Sequence, residues 1–252
     1  MHPDSRHTVC YDTAQRDPRT GGLLRTIPEG YTSSVRLGNW SSNYYTPEAE
    51  GVIYSLLVDT ASFELLLLRY AAVLQDPQHA ASDQPRFRME LLDTNYNIID
   101  SACTSADFIS DQNLGWHTAD DGVLWKDWTA VGVDLSAHAG EQVYFRLTTY
   151  DCNEGSHYGY AYFTLECMRK NMNTVSCGDV DSNTLSAPEG FHYRWYSSNS
   201  PATISTAQSI TVPNEDITYF CEVSKLDNPS CNFTISAYGG TRYPMAISTR
   251  RW

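Results

Sequence analysis

The sequence predicts an all-β chain of two domains, a larger β-sandwich followed by a small one. Three observations carry this. Apolar residues recur at period two, as in Val131, Val133 and Leu135, then Val143, Phe145 and Leu147, then Phe163 and Leu165, and such alternation buries one face of a strand. No segment sustains apolar residues at three- and four-residue spacing over three turns with a cap ahead and glycine behind, so helices are not expected. Residues 1–168 carry ten Lys and Arg against twenty-three Asp and Glu, whereas residues 169–252 carry seven of each. A chain of 252 residues accommodates two domains of roughly 100–150 residues, and the charge step sets the boundary: residues 1–168, a linker over 169–176, and residues 177–252.

In the first domain the candidate strands are Ser34–Leu37, Val52–Asp59, Phe63–Leu74, Phe87–Asp93, Asn97–Asp100, Thr129–Leu135, Gln142–Tyr150 and Tyr160–Cys167. Phe87, Met89 and Leu91 alternate with Arg88 and Glu90, and Asp93-Thr94-Asn95-Tyr96-Asn97 has the turn chemistry for a hairpin into Ile98-Ile99. Phe63–Leu74 is apolar on both phases, which suits a central strand, with a short helix as the alternative. Eight strands make a jelly roll. The polar stretches Leu74–Arg86 and Thr104–Trp125 read as long loops at the ends of the sandwich.

The second domain offers short strands at Thr174–Cys177, Thr184–Leu185, Phe191–Tyr196, Ser209–Val212, Thr218–Val223 and Phe233–Ala237. Cys177, a strand tryptophan at Trp195 and a Tyr219-Phe220-Cys221 run together indicate an immunoglobulin-like sandwich.

Composition limits the partners. The acidic first domain repels phosphate backbones and anionic lipid surfaces, which argues against nucleic acid and membranes, while a cation or a neutral sugar is compatible. The most apolar run, Phe63 to Leu74, is interrupted by Glu64 and Arg69 and falls short of a membrane span. Seven cysteines, six tryptophans and seventeen tyrosines suit an extracellular or cell-surface protein. Met1 to His7 contains no apolar secretion segment, so the signal peptide is expected upstream of this chain.

The densest cluster of functional residue types is the turn Asp151-Cys152-Asn153-Glu154-Gly155-Ser156-His157-Tyr158-Gly159-Tyr160. Strand alternation puts Tyr158, Tyr160 and Tyr162 on one face, opposite Gly159, Ala161 and Phe163. Beside Asp151 and His157, and with Trp116, these tyrosines are the expected ligand-binding residues, able to stack on sugar rings and bond their hydroxyls. The alternative is that they cover a sheet edge or contact a neighbouring module. Asp120, Asp121, Asp151 and Glu154 are carboxylates of the kind that hold a structural calcium, though without EF-hand spacing; no cofactor is required. His79, His117 and His157 lie in three separate loops and lack zinc-motif spacing. Nucleophile elbow, zinc-protease and phosphate-loop motifs are absent from the sequence, so no enzyme is expected. A glycoside hydrolase, which needs only two facing carboxylates, is the enzymatic alternative.

Several segments resemble the repeated extracellular modules of large surface proteins from Bacteroidetes-type bacteria: Ser34-Val35-Arg36-Leu37-Gly38-Asn39, Tyr70 to His79 followed by Gln84-Pro85-Arg86-Phe87, Trp125-Lys126-Asp127-Trp128, Gly155 to Tyr162, Ala187 to Tyr196, and Cys231-Asn232-Phe233-Thr234. The resemblance implies a carbohydrate-binding-module-like or MAM-like jelly roll followed by an immunoglobulin-like or PKD-like module. It also implies a cell-surface or secreted setting, with adhesion to a glycan or another surface ligand and contact with neighbouring modules. A purely structural spacer is the rival. Modules of this kind often join an opening cysteine to one just past the Tyr-x-Cys strand, which here implies Cys177 with Cys231. The generic pairing Cys177 with Cys221 and the hairpin pairing Cys221 with Cys231 stay open, and Cys152 with Cys167 could staple neighbouring strands.

Overall fold

The computed structural model describes residues 5–41, 47–110, 115–172, 181–226 and 228–240. The chain is all-β and divides into two compact units, Met1–Met168 and Arg169–Trp252. No helix among the described residues is long and apolar enough to cross a membrane.

The first unit contains β1 (His7–Cys10), β2 (Ser34–Leu37), β3 (Ala49–Leu57), β4 (Leu65–Gln75), β5 (Arg86–Leu92), β6 (Ser105–Ile109), β7 (His117–Thr118), β8 (Val123–Asp134), β9 (Gln142–Tyr150) and β10 (Gly159–Met168). One sheet has the order β1-β2-β10-β4-β8-β7 and the other β3-β9-β5-β6. Leaving aside the flanking β1 and β7, the remaining eight strands fall four to each sheet in jelly-roll order, crossing between the sheets at every step except the β5–β6 hairpin, and their pairs are antiparallel. The eighth strand is Ser105–Ile109, within a stretch expected to be loop. Asn97–Asp100 makes only an isolated bridge, Leu92 to Ile98, because the Asp93 carboxylate accepts from the backbone of Asn95 and Asn97 and ties the segment into a turn.

Between the sheets lie Leu66, Leu68, Tyr70, Val131, Val133 and Phe163 on one side and Phe87, Met89, Leu91, Val143, Phe145 and Leu147 on the other. β4 is buried on both phases along almost its whole length. Its second face packs into another apolar layer, where Ala71, Val73, Trp125, Tyr158, Tyr160 and Tyr162 meet Cys10 at the end of β1 and Leu24 and Ile27 from the segment linking β1 to β2. The six-stranded sheet is thus covered on both faces. Where β2 ends beside β10, a Cβ on Gly38 would lie 2.6 Å from the Gly159 carbonyl, and its φ of +89° also favours glycine.

The second unit contains β11 (Asn171–Met172), β12 (Ser182–Ser186), β13 (His192–Ser197), β14 (Ser200–Ser205), β15 (Ser209–Pro213), β16 (Thr218–Ser224) and β17 (Asn232–Tyr238). Its sheets have the orders β11-β17-β16-β13-β14 and β12-β15. Leu185, Ile210, Val212, Trp195, Cys221, Val223, Phe233 and Ile235 are buried, and the Trp195 indole donates to the Ala207 carbonyl at 2.8 Å. Asn171–Met172, placed in the linker by the sequence reading, pairs in parallel with β17; Thr174–Cys177 lies outside the described residues.

The cysteine pattern departs from several expectations. Cys10, Cys152, Cys167 and Cys221 are thiols, so Cys152 does not staple to Cys167 and neither pairing of Cys221 is made. Cys103 and Cys231 are each held in a disulfide. Cys177, the partner expected for Cys231, lies outside the described residues.

Candidate functional site

Strand alternation places Tyr160 and Tyr162 of β10, and Tyr158 just before it, on one face, but that face is inward. All three are buried, and the reason is a polar network supplied by the β1–β2 segment. Asp17 caps the short 3-10 turn Pro18–Thr20, accepting from the backbone of Arg19 at 2.8 Å and Thr20 at 3.1 Å. Its other oxygen accepts from the hydroxyls of Tyr160 at 2.9 Å and Tyr162 at 2.6 Å. The Tyr158 hydroxyl accepts from Arg19 Nε at 2.6 Å. Burial raises Asp17's pKa against these hydrogen bonds, and burial together with Asp17 raises those of Tyr160 and Tyr162. Trp40 packs on Tyr160, and the Arg36 guanidinium lies 4.2 Å above the Trp40 ring. These tyrosines hold a lid of chain against the sheet and cannot stack on a sugar. Trp116, likewise expected as a platform, is half-buried against the main core with its indole nitrogen buried and unpartnered.

The expected calcium ligands fall to separate partners. Asp120 and Asp121 occupy a turn before β8, with the Asp121 carboxylate 3.4 Å from Arg19. Glu154 faces His79 at 3.4 Å. Asp151 accepts from the Gly159 backbone at 3.1 Å. Burial pushes its pKa up to about 7, and the negative charges of Glu50 and Glu48 add to the rise. The four carboxylates do not converge as a ligand set among the described residues. His117 stacks on Trp125 with ring centroids 4.3 Å apart, whereas His157 approaches Cys152 and His79.

The open surface is the outer face of the four-stranded sheet. Since Phe87, Met89, Leu91, Val143, Phe145 and Leu147 point into the core, the intervening residues point out. Cross-strand register sets Ile53 beside Arg146 and Glu90, Gly51 beside Thr148, Arg88 and Asp107, and Ala49 beside Tyr150 and Arg86. Arg146 pairs with Glu90 at 2.7 Å. Asp107 accepts from Arg88 at 2.7 Å and from Arg86 at 3.2 Å. At one end Tyr96, 57% exposed, lies parallel to Tyr144, with centroids 5.2 Å apart and planes 6° apart. At the other end Ser82, Gln84, Arg86, Arg88, Tyr150, Asp151 and Asn153 line a cavity of about 200 Å³.

Neither a family model nor a curated protein matches this sequence. Solved structures that it resembles include TmCBM61 in complex with β-1,4-galactotriose, at 8% identity and a TM-score of 0.34, over 64% of this chain and 82% of that one. Another is CBM27-1 of Caldicellulosiruptor saccharolyticus in complex with mannohexaose, at 8% identity and a TM-score of 0.31, over 65% of this chain and 81% of that one. A third is the glycoside hydrolase domain of Endo-D from Streptococcus pneumoniae, at 14% identity and a TM-score of 0.31, over 94% of this chain but 35% of that one. At identities and scores this low, what the site does follows from its own residues.

Chemically, the open face combines flat apolar rings with fixed donors and acceptors. A pyranose offers a C–H face to an aromatic ring and vicinal hydroxyls to guanidinium–carboxylate pairs, whose side chains are already oriented by one another. Of the residues expected from sequence, Asp151 reaches the edge of this surface. Tyr96, Tyr144, Tyr150, Arg86, Arg88 and Arg146 were missed, although Tyr144, Tyr150, Arg88 and Arg146 sit on the outward phase of strands that the sequence does reveal; Arg86, expected to end a loop, opens β5.

Proposed function

We propose that the first unit is a non-catalytic carbohydrate-binding module of a secreted or cell-surface protein, holding a neutral glycan chain along the outer face of the four-stranded sheet. The exposed Tyr96, stacked on the half-buried Tyr144 at the open outer face of the four-stranded sheet, carries this reading. Arg86, Arg88 and Arg146 of the face are ion-paired with Asp107 and Glu90 and the whole chain has a net charge of −13, which favours neutral over anionic sugars. Binding requires no cofactor in this arrangement, and the second unit serves as a neighbouring module that sets reach and adhesion geometry.

Glycan arrays followed by calorimetry on the full chain test the proposal. Tyr144→Ala should weaken binding about ten-fold, or about 1.4 kcal/mol, and Arg88→Ala by a similar factor. Tyr158→Phe, altered beneath the covered sheet face, should bind as wild type. If no glycan binds wild type, the structural spacer is the better description. For the glycoside-cleaving alternative, Asp151 in the cavity wall is the candidate acid with a raised pKa beside the sheet face. Release of reducing ends by wild type, lost in Asp151→Asn, would replace the non-catalytic reading.

A further inference from the structure

His79, Cys152 and His157 come from two separate loops, the first from the β4–β5 connection and the others from the β9–β10 turn. Their ligating atoms all lie within 4.8 Å of one another, the only convergence of three or more such His, Cys, Asp or Glu groups among the described residues. Cys152 is fully buried, with Sγ 3.1 Å from His157 Nδ1 and 3.0 Å from the Gly155 carbonyl. The two imidazoles meet edge to face with centroids 5.4 Å apart. His79 Nε2 faces the Glu154 carboxylate at 3.4 Å, while His79 Nδ1 is buried with no hydrogen-bond partner. A buried imidazole nitrogen beside a thiol and a second imidazole is an atom whose partner is missing.

We propose that His79, Cys152 and His157 form a zinc site that clips the β4–β5 loop to the β9–β10 turn. Two imidazoles and a thiolate are a donor set suited to Zn²⁺, and three protein ligands leave a fourth position for water. With Zn–N near 2.0 Å and Zn–S near 2.3 Å, tetrahedral geometry separates donor atoms by roughly 3.3–3.7 Å. The Cys152–His157 contact is already close to that spacing, and the wider separations close with movements of about 1 Å. Binding takes the thiol proton into solvent and leaves Cys152 as thiolate, so no redox partner is needed. The Nε2 contact leaves His79 Nδ1 for the ion, and Glu154 then acts as a positioning carboxylate that fixes the imidazole. Cys152 is fully buried while the two histidines are half-buried, an arrangement that suits a thiolate enclosed as a metal ligand better than an exposed nucleophile. The clip secures Ser82, Gln84 and Asn153 at the wall of the nearby cavity, but it stands independently of the sugar proposal.

The full chain, stripped with EDTA and kept reduced, is titrated with Co²⁺ and then with Zn²⁺ against a chromophoric chelator. The expected result is one Co²⁺ per chain, with a thiolate-to-cobalt charge-transfer band and the visible bands of a tetrahedral ion, both displaced by Zn²⁺. Cys152→Ser should abolish the charge-transfer band, while Cys10→Ser and Cys167→Ser keep it. His157→Gln and His79→Gln should lose tight binding, and Glu154→Gln should weaken it about ten-fold or more. Should Cys152→Ser fail to fold, as judged by circular dichroism, the histidine variants carry the test. Absence of the charge-transfer band in wild type, its survival in Cys152→Ser, or undiminished affinity in both histidine variants would overturn the proposal and leave a hydrogen-bonded turn.

Discussion

Asp17→Ala should lower the unfolding free energy by about 3–5 kcal/mol, the loss associated with breaking a buried polar network by removing one member. Asp17 is fully buried and satisfies two backbone donors and two phenols. Alanine removes the carboxylate that accepts from the Tyr160 and Tyr162 hydroxyls and removes the cap of the turn that holds the β1–β2 segment in place. Urea unfolding measures the loss, with Asp12→Ala as the control: Asp12 makes a similar local bond to the Ala14 backbone at an exposed site, and its removal should cost less than about 1 kcal/mol. Adding Tyr160→Phe and Tyr162→Phe to Asp17→Ala should recover part of the loss, since the hydroxyls that donate to Asp17 are removed together with their acceptor. Equal losses for Asp17→Ala and Asp12→Ala would show that the segment is not held by this carboxylate.

That network also marks where sequence reasoning stopped. The period-two placement of Tyr158, Tyr160 and Tyr162 on one face was legible, but their cover was not. Their acceptor lies 143 residues before Tyr160, in a segment with neither strand nor helix periodicity. The clue was β4: a strand apolar on both phases needs cover on both sides, which directs a solvent-facing site to the other sheet. There the strands β5 and β9 were legible, and their outward residues follow from alternation. What alternation cannot supply is which strands lie side by side, and only that pairing turns Arg88, Asp107, Arg146 and Glu90 into one surface. Ser105–Ile109 escaped notice because a five-residue edge strand contributes just Ala106 and Phe108 to the core. Ile98 and Ile99 gave a stronger apolar signal, yet Ile98 is exposed. His79 and Cys152 are distant in sequence, so their convergence likewise belongs to topology rather than to motif.

Asp151→Asn should stabilise the protein at pH 8 by about 2–4 kcal/mol while changing little at pH 4. The folded-state pKa of Asp151 is about 7 against an ordinary value of 3.8, chiefly because burial disfavours the carboxylate. Between those values the native chain holds a proton that the unfolded chain has released. Stability therefore falls as pH rises from about 4 to 7 and levels off above, the reverse of a salt-bridged aspartate. At about 1.4 kcal/mol per pKa unit the penalty approaches roughly 4 kcal/mol, an upper figure because relaxation and water relieve part of it. Asparagine retains an oxygen for the Gly159 backbone and has no charge to bury. Glu50, also raised by burial, bends the stability curve in the same direction, so the informative quantity is the difference between wild type and variant at each pH. Urea midpoints with EDTA present, taken from pH 4 to 8, provide it. Parallel curves would place the titrating group elsewhere. Diverging curves would show that this neutral-pH penalty is intrinsic to a carboxylate enclosed between Glu48, Glu50 and the start of β10.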